Sequence, residues 1–259
     1  MKNILLIMAG SLMFIGGCQT ENAPSDNTFE EISFFTPDSI LIFGDLYTID
    51  KNESTILLFH QGGSNSRAEY ESIIPRLTER GFNVLAIDQR VGGQYYGKYN
   101  RTLANIPTHI YGDGYGYCDA YNNLESALDY VIDSGFSGNK ILWGSSYSAS
   151  LAIQLASNRQ NDINGVLAFS PASGAPLKDC LPGQYFESIN IPMLILKPPH
   201  EMQSEQSKLQ IELAEKFNHQ TFVPEHGIHG SSMLVKERVG NDVEKTWDVV
   251  FGFIDSILN

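Results

Sequence analysis

Basic residues are scarce in this chain: 17 Lys and Arg stand against 30 Asp and Glu, a formal net charge of −13 over 259 residues. No basic stripe is available to neutralise phosphate, so nucleic acid and anionic lipid surfaces are poor partners. The acidic residues are scattered rather than run together, which suits solubility more than recognition. Internal repeats and low-complexity blocks are absent, which excludes solenoid and propeller readings. No GxxxxGK[ST] phosphate loop, HExxH pair or cysteine cluster occurs, so neither a metal nor a cofactor is implied. Cysteine is rare as well, limited to Cys18, Cys118 and Cys180.

Long apolar runs are missing except at the start, where Lys2 precedes an apolar stretch from Ile4 to Phe14. A stretch this short falls below the roughly 20 residues of a permanent membrane helix. Followed by Ile15-Gly16-Gly17-Cys18, it reads as a lipoprotein signal peptide over 1–17 with Cys18 as the lipidated residue. Residues 18–29 then form a polar tether, and 30–259 a single domain large enough to bury its own core. The expectation is a cell-envelope protein held to a membrane by its lipid anchor alone; Gln19, in place of an aspartate, points to the outer membrane. In such a compartment Cys118 and Cys180 could form a disulfide, although sequence alone leaves the pairing open.

Within the domain, Glu31–Phe35 and Ile40–Ile49 have the pattern of an antiparallel pair turning at Pro37-Asp38. Short apolar runs at Ser54–His60, Asn83–Asp88, Lys140–Trp143, Gly165–Phe169, Pro192–Leu196 and Gln220–Val223 suit strands covered on both faces. Between them, helical spacing marks Ser66–Arg80, Leu124–Ile132, Ser148–Ser157, Ser207–Phe217 and Trp247–Leu258. Such alternation predicts an α/β fold with a mostly parallel sheet, helices on both faces and ligands bound beyond the carboxyl ends of the strands. Two long connections leave those ends, Gln89–Tyr121 and Ser170–Ile191, and predict the walls of a site.

At one strand end stands Gly144-Ser145-Ser146-Tyr147-Ser148. Small residues two positions either side of Ser146 allow the sharp strand-to-helix turn that exposes a nucleophilic hydroxyl. A serine hydroxyl needs an imidazole to take its proton and a carboxylate to orient that imidazole. Of six histidines, His229 lies in a glycine-rich loop after the last strand; His226 is the alternative. The carboxylate should follow the strand ending at Leu196, where Glu201 is nearest and Glu205 remains open; aspartate is absent from 180 to 241. The oxyanion donors are expected to be the Tyr147 N–H and an N–H of Gln61 or Gly62, since the Gly62-Gly63 pair lets backbone approach a substrate closely. His60 reads as a residue that holds this loop, and Asp88 and Arg90 as partners that fix the following one.

Together, FHQGGSN, NVLAIDQRVGG, WGSSYSAS and HGIHGSS resemble the α/β-hydrolase superfamily, specifically its dienelactone-hydrolase-like and S9-peptidase-like small serine hydrolases, over roughly residues 31–258. The order Ser146, Glu201, His229 is that of the superfamily. Gln61 interrupts the commoner His-Gly start of the oxyanion loop, and Ser148 replaces a glycine. What the resemblance implies is a serine hydrolase acting on a small-molecule carboxylic ester through an acyl-enzyme. Its alternatives are a peptidase or acyltransferase of the same fold, or a silent binding lipoprotein. Seven tyrosines between Tyr95 and Tyr121 could pack the long loop or stack against a sugar or aryl acid.

Overall fold

In the computed structural model, residues 28–107 and 114–258 are described. The expected signal peptide, Cys18 and all but the last two residues of the tether lie outside them, as does Tyr111. Among the described residues no helix is long and apolar enough to cross a membrane.

One eight-stranded sheet organises the chain, in the order β1-β2-β4-β3-β5-β6-β7-β8. Its strands are β1 (Glu30–Phe35), β2 (Leu41–Tyr47), β3 (Thr55–Phe59), β4 (Asn83–Asp88), β5 (Lys140–Ser145), β6 (Gly165–Phe169), β7 (Met193–Leu196) and β8 (Gln220–Phe222). Strands β1 and β2 pair antiparallel, β2 joins β4 antiparallel, and every pairing from β4 to β8 is parallel. Alternation along each strand divides the core in two. Leu57, Phe59, Leu85, Leu142 and Ile195 face one layer, whereas Ile56, Leu58, Val84, Ile141, Trp143 and Leu194 face the other. The first layer is covered by α4 (Tyr121–Asp133), α5 (Tyr147–Asn158) and α6 (Glu205–Lys216). The second lies under α1 (Ser66–Tyr70), α2 (Ile74–Thr78) and α8 (Glu244–Leu258).

The helix expected over Ser66–Arg80 is instead two short ones, α1 and α2. Pro75 has no N–H for the helical ladder and its ring would collide with the carbonyl four residues back, so the chain breaks and restarts with Pro75 in the first turn of α2. The apolar face survives the break, because Tyr70, Ile73, Ile74 and Leu77 are all buried. Inside the first long connection lies a further helix, α3 (Arg101–Asn105), which Asn100 caps through Leu103 N–H at 2.8 Å. It holds too few apolar residues for periodicity to reveal. The same is true of α7 (Lys236–Val239), which ends at Gly240 in the left-handed conformation.

Candidate active site

The turn between β5 and α5 is strained at its centre: Ser146 has φ 61° and ψ −122°. Bonds on both sides hold it there, with Ser146 N–H donating to Phe169 O at 2.8 Å and Ser146 O accepting from Ala149 at 3.1 Å and Ala172 at 3.2 Å. Only glycine fits at 144, where a Cβ would fall 2.5 Å from the Ala149 Cα. Ser148, in the position where glycine is usual, is buried and its hydroxyl donates to the carbonyl of His60. It also accepts from Gln89 Nε2 at 2.7 Å. The departure from glycine therefore adds a strut between the elbow and the loop after β3.

That loop is fixed from both sides. His60 is fully buried, and its Nε2 accepts the Gln89 backbone N–H at 3.0 Å. The proton must then sit on Nδ1, which donates to Gln61 O at 2.9 Å. Burial lowers the pKa of this ring, against the nearby Asp88 charge and the Gln61 hydrogen bond, and keeps it neutral. Because the Gln61 carbonyl and the Gly62 N–H share one trans peptide, the histidine sets the aim of the Gly62 N–H. The Gln61 N–H is committed elsewhere, donating to Glu69 Oε2 at 2.7 Å. Of the two donors the sequence left open, Gly62 is the one whose N–H is not engaged by that carboxylate. The Tyr117 hydroxyl lies beside it, 3.0 Å from where a Gly62 Cβ would stand, and the Tyr117 ring packs on Tyr147 at 4.7 Å between centroids. Tyr147 itself opens the twelve-residue α5, so its N–H stands at a helix N-terminus suited to negative charge.

Across the strand ends, His229 Nδ1 lies 2.6 Å from Glu201 Oε1. The carboxylate is largely sheltered, at 16% side-chain exposure, while the imidazole is open at 46%. Burial raises the Glu201 pKa, but the His229 hydrogen bond and the Lys197 charge outweigh it and hold the carboxyl below its ordinary value. Lys197 is buried, 3.4 Å from Glu201 Oε2, and donates to Pro171 O at 3.2 Å. The alternatives lie apart from this pair. Glu205 begins α6 and meets Lys208 at 2.6 Å with 81% of its side chain exposed, and exposed His226 faces Glu225 at 3.9 Å.

The histidine loop is anchored below. Trp143 Nε1 donates to Ser231 Oγ at 2.9 Å, Ser231 N–H to Ser145 Oγ at 3.0 Å, and Trp247 Nε1 to Leu234 O at 2.9 Å. Gly230, at φ +69°, packs so closely that a Cβ would lie 2.3 Å from Ser145 Oγ and 2.9 Å from Gln61 Oε1. The two long connections are joined by the Cys118–Cys180 disulfide, with Cα atoms 5.8 Å apart. Asp88 and Arg90 hold the first of them: Asp88 accepts from Ser66 and Arg101, and buried Arg90 pairs with Asp38 in two bonds, the longer 2.8 Å. Among the described residues no group of three or more His, Cys, Asp or Glu side chains is gathered for a metal.

Glu69, Lys197 and the particular place of Tyr117 are not visible in the sequence pattern. Ser66-Arg67-Ala68-Glu69 has the spacing of a helix capping box, a pattern that gives no sign of an inward-facing carboxylate. In the structure Asn65 is the cap, accepting from Ala68 N–H at 2.9 Å, and Glu69 turns inward.

No family model and no curated protein matches this chain. Solved structures do. An esterase of Pyrococcus furiosus, Pf2001, superposes with a TM-score of 0.69 at 18% identity, over 90% of this chain and 92% of its own. The chain has the α/β-hydrolase fold. A thermostable carboxyl esterase from Bacillus coagulans, in complex with glycerol, shares this α/β-hydrolase arrangement with a TM-score of 0.68 at 13% identity, over 89% of this chain and 99% of its own. Est1E from Butyrivibrio proteoclasticus, with ferulic acid bound, gives 0.67 at 12% identity, over 88% and 99%.

Proposed function

We propose that this chain is a serine hydrolase that cleaves a carboxylic ester through an acyl-enzyme. The observation that carries the reading is the 2.6 Å contact between Glu201 and His229 in a fold whose strained elbow presents Ser146. In this reading Ser146 Oγ attacks the acyl carbon as its proton passes to His229 Nε2. Glu201 accepts the Nδ1–H, fixes the tautomer and stabilises the imidazolium. The oxyanion is held by the N–H groups of Tyr147 and Gly62. Collapse expels the alkoxide, which takes the proton from His229, and water then attacks the acyl group with His229 again as base. The open imidazole favours water over an excluded-solvent acceptor, and hence hydrolysis over acyl transfer. Esterase neighbours of the same fold add to the case for an ester rather than an amide substrate.

The same proposal places the domain in the cell envelope, lipid-anchored at Cys18 after removal of residues 1–17. The disulfide agrees with an oxidising compartment. Hydrolysis of short p-nitrophenyl esters against aminoacyl amides, with wild type and Ser146→Ala side by side, tests the activity. Ester turnover that Ser146→Ala abolishes is the expected result; amide preference, or turnover that survives the substitution, overturns it.

A further inference from the structure

Glu69 is a carboxyl with no place in the steps above, yet it lies between their two halves. It is 1% exposed, on α1 directly behind the oxyanion loop. Oε2 accepts the Gln61 N–H at 2.7 Å. Oε1 has no hydrogen-bond partner of normal geometry, and neither has Gln61 Oε1. Both oxygens border the cramped space at Gly230, 3.6 and 2.9 Å from where its Cβ would be, with Ser145 Oγ on the same point. Gly230 adjoins His229. Arg238 closes the cluster from α7, donating to the Glu69 carbonyl at 3.0 Å and to the Ala68 carbonyl at 2.7 Å.

We propose that Glu69 is a positioning residue of this site, a buried carboxylate that holds the Gln61 peptide with one oxygen and presents negative charge beneath the His229 loop with the other. The inference rests on the serine-hydrolase reading of Ser146 and His229. Its physical content has two parts. Holding the Gln61 N–H keeps that peptide plane, and through the chain the adjoining Gly62 N–H, turned toward the substrate side. A negative charge under His229 favours the imidazolium formed as Ser146 is deprotonated.

These parts separate because the two protonation states share the first and differ in the second. Protonated Glu69 still accepts the Gln61 N–H through its carbonyl oxygen. Ionised, it supplies the charge. Burial pushes the carboxyl up to about 7, against the nearby Ser145 hydroxyl, the hydrogen bond from the Gln61 N–H and the charges of Arg238 and His229. The other titratable groups acting on it or acted on by it are Tyr70, Tyr95 and Tyr147, all neutral over this range. Glu69 thus changes charge in the window where a histidine base operates.

The test is the second-order rate of fluorophosphonate labelling of the full chain from pH 5 to 9, for wild type, Glu69→Gln and Glu69→Ala. Glutamine keeps the acceptor and removes the charge. The ratio of wild type to Glu69→Gln is expected near one at pH 5, rising to about tenfold above pH 8 with a midpoint near 7, equivalent to one pKa unit of coupling. Glu69→Ala, which also frees the Gln61 N–H, should be slower at every pH. A ratio independent of pH overturns the proposal while leaving the esterase reading intact. Absence of Ser146 labelling in wild type overturns that reading and this proposal with it. Should Glu69→Gln fail to fold, the Glu69 carboxyl carbon of the wild type decides by NMR titration. An inflection near 7 supports the change of charge on which the ratio depends, and one near 4.5 refutes it.

Discussion

The two sides of this site are built on opposite plans. On the oxyanion side His60, Gln89, Ser148 and Glu69 are buried, and the His60 ring and carbonyl and the Gln61 N–H and carbonyl are each held by a partner. On the acid–base side one hydrogen bond joins Glu201 to an imidazole almost half exposed. In the proposed mechanism the difference follows from what each side would do. Donors that stabilise a developing charge act best when already fixed, since reorganising them would cost energy at the moment of reaction. A base that shuttles protons must instead reach solvent and leaving group in turn. Substitutions of His60, Gln89 and Ser148 should therefore act through position and stability, those of Glu201 and His229 through chemistry, and those of Glu69 through both.

The largest effect that sharpens this contrast is expected at Glu201. Glu201→Gln keeps the shape but removes the charge and offers an amide N–H₂ that can face Nδ1 and select the wrong His229 tautomer, so kcat should fall by about 10⁴-fold, with thermal stability little changed. Glu205→Gln, on an exposed ion pair, should leave kcat unchanged. Equal losses in the two variants would break the assignment.

Gly230→Ala probes where the two sides meet. Its Cβ would enter a space already occupied by Ser145 Oγ, at a φ that disfavours any side chain. A loss of about 2–3 kcal/mol is expected by chemical denaturation, together with lower activity. Glu69 bears on stability with a definite sign. Its folded pKa, raised from 4.5 to about 7, means the native chain keeps a proton the unfolded chain loses. That contribution is full below pH 4.5 and disappears as pH rises through about 7. Wild type should thus lose up to about 3 kcal/mol across that window relative to Glu69→Gln, read as the difference between their denaturation curves at each pH. A flat difference would contradict the buried, titrating carboxyl.

Smaller effects are expected from the walls. Tyr117→Phe removes a hydroxyl beside Gly62 but keeps the ring against Tyr147, so kcat/KM should fall about tenfold or less with the fold intact. Reducing the Cys118–Cys180 bond frees two loops rather than Ser146, Glu201 and His229, and should raise KM more than it lowers kcat.

Much of this arrangement is legible in the sequence because it follows the sheet. Ser146, Glu201 and His229 each follow a strand end, and apolar runs find strand ends well; the chain order then selects among few candidates. The α1–α2 break is also written there, in Pro75, although helical spacing on both sides masks it. What cannot be read is whatever depends on which loop atom faces which. Gln61 and Gly62 are equivalent until Glu69 takes one N–H and His60 fixes the other through its carbonyl. Ser148 looks like a tolerated substitute for glycine until its hydroxyl is found on the His60 carbonyl. Glu69 itself has the spacing of a helix cap, and only tertiary packing turns it inward.

The central claim is that Ser146 is the nucleophile and that His229, oriented by Glu201, activates it. Peptide mapping of the full chain after fluorophosphonate treatment tests this most directly. One adduct is expected, on the peptide carrying Ser146, absent in Ser146→Ala and slowed by orders of magnitude in His229→Ala. No adduct, one on another residue, or undiminished labelling without His229 would contradict it.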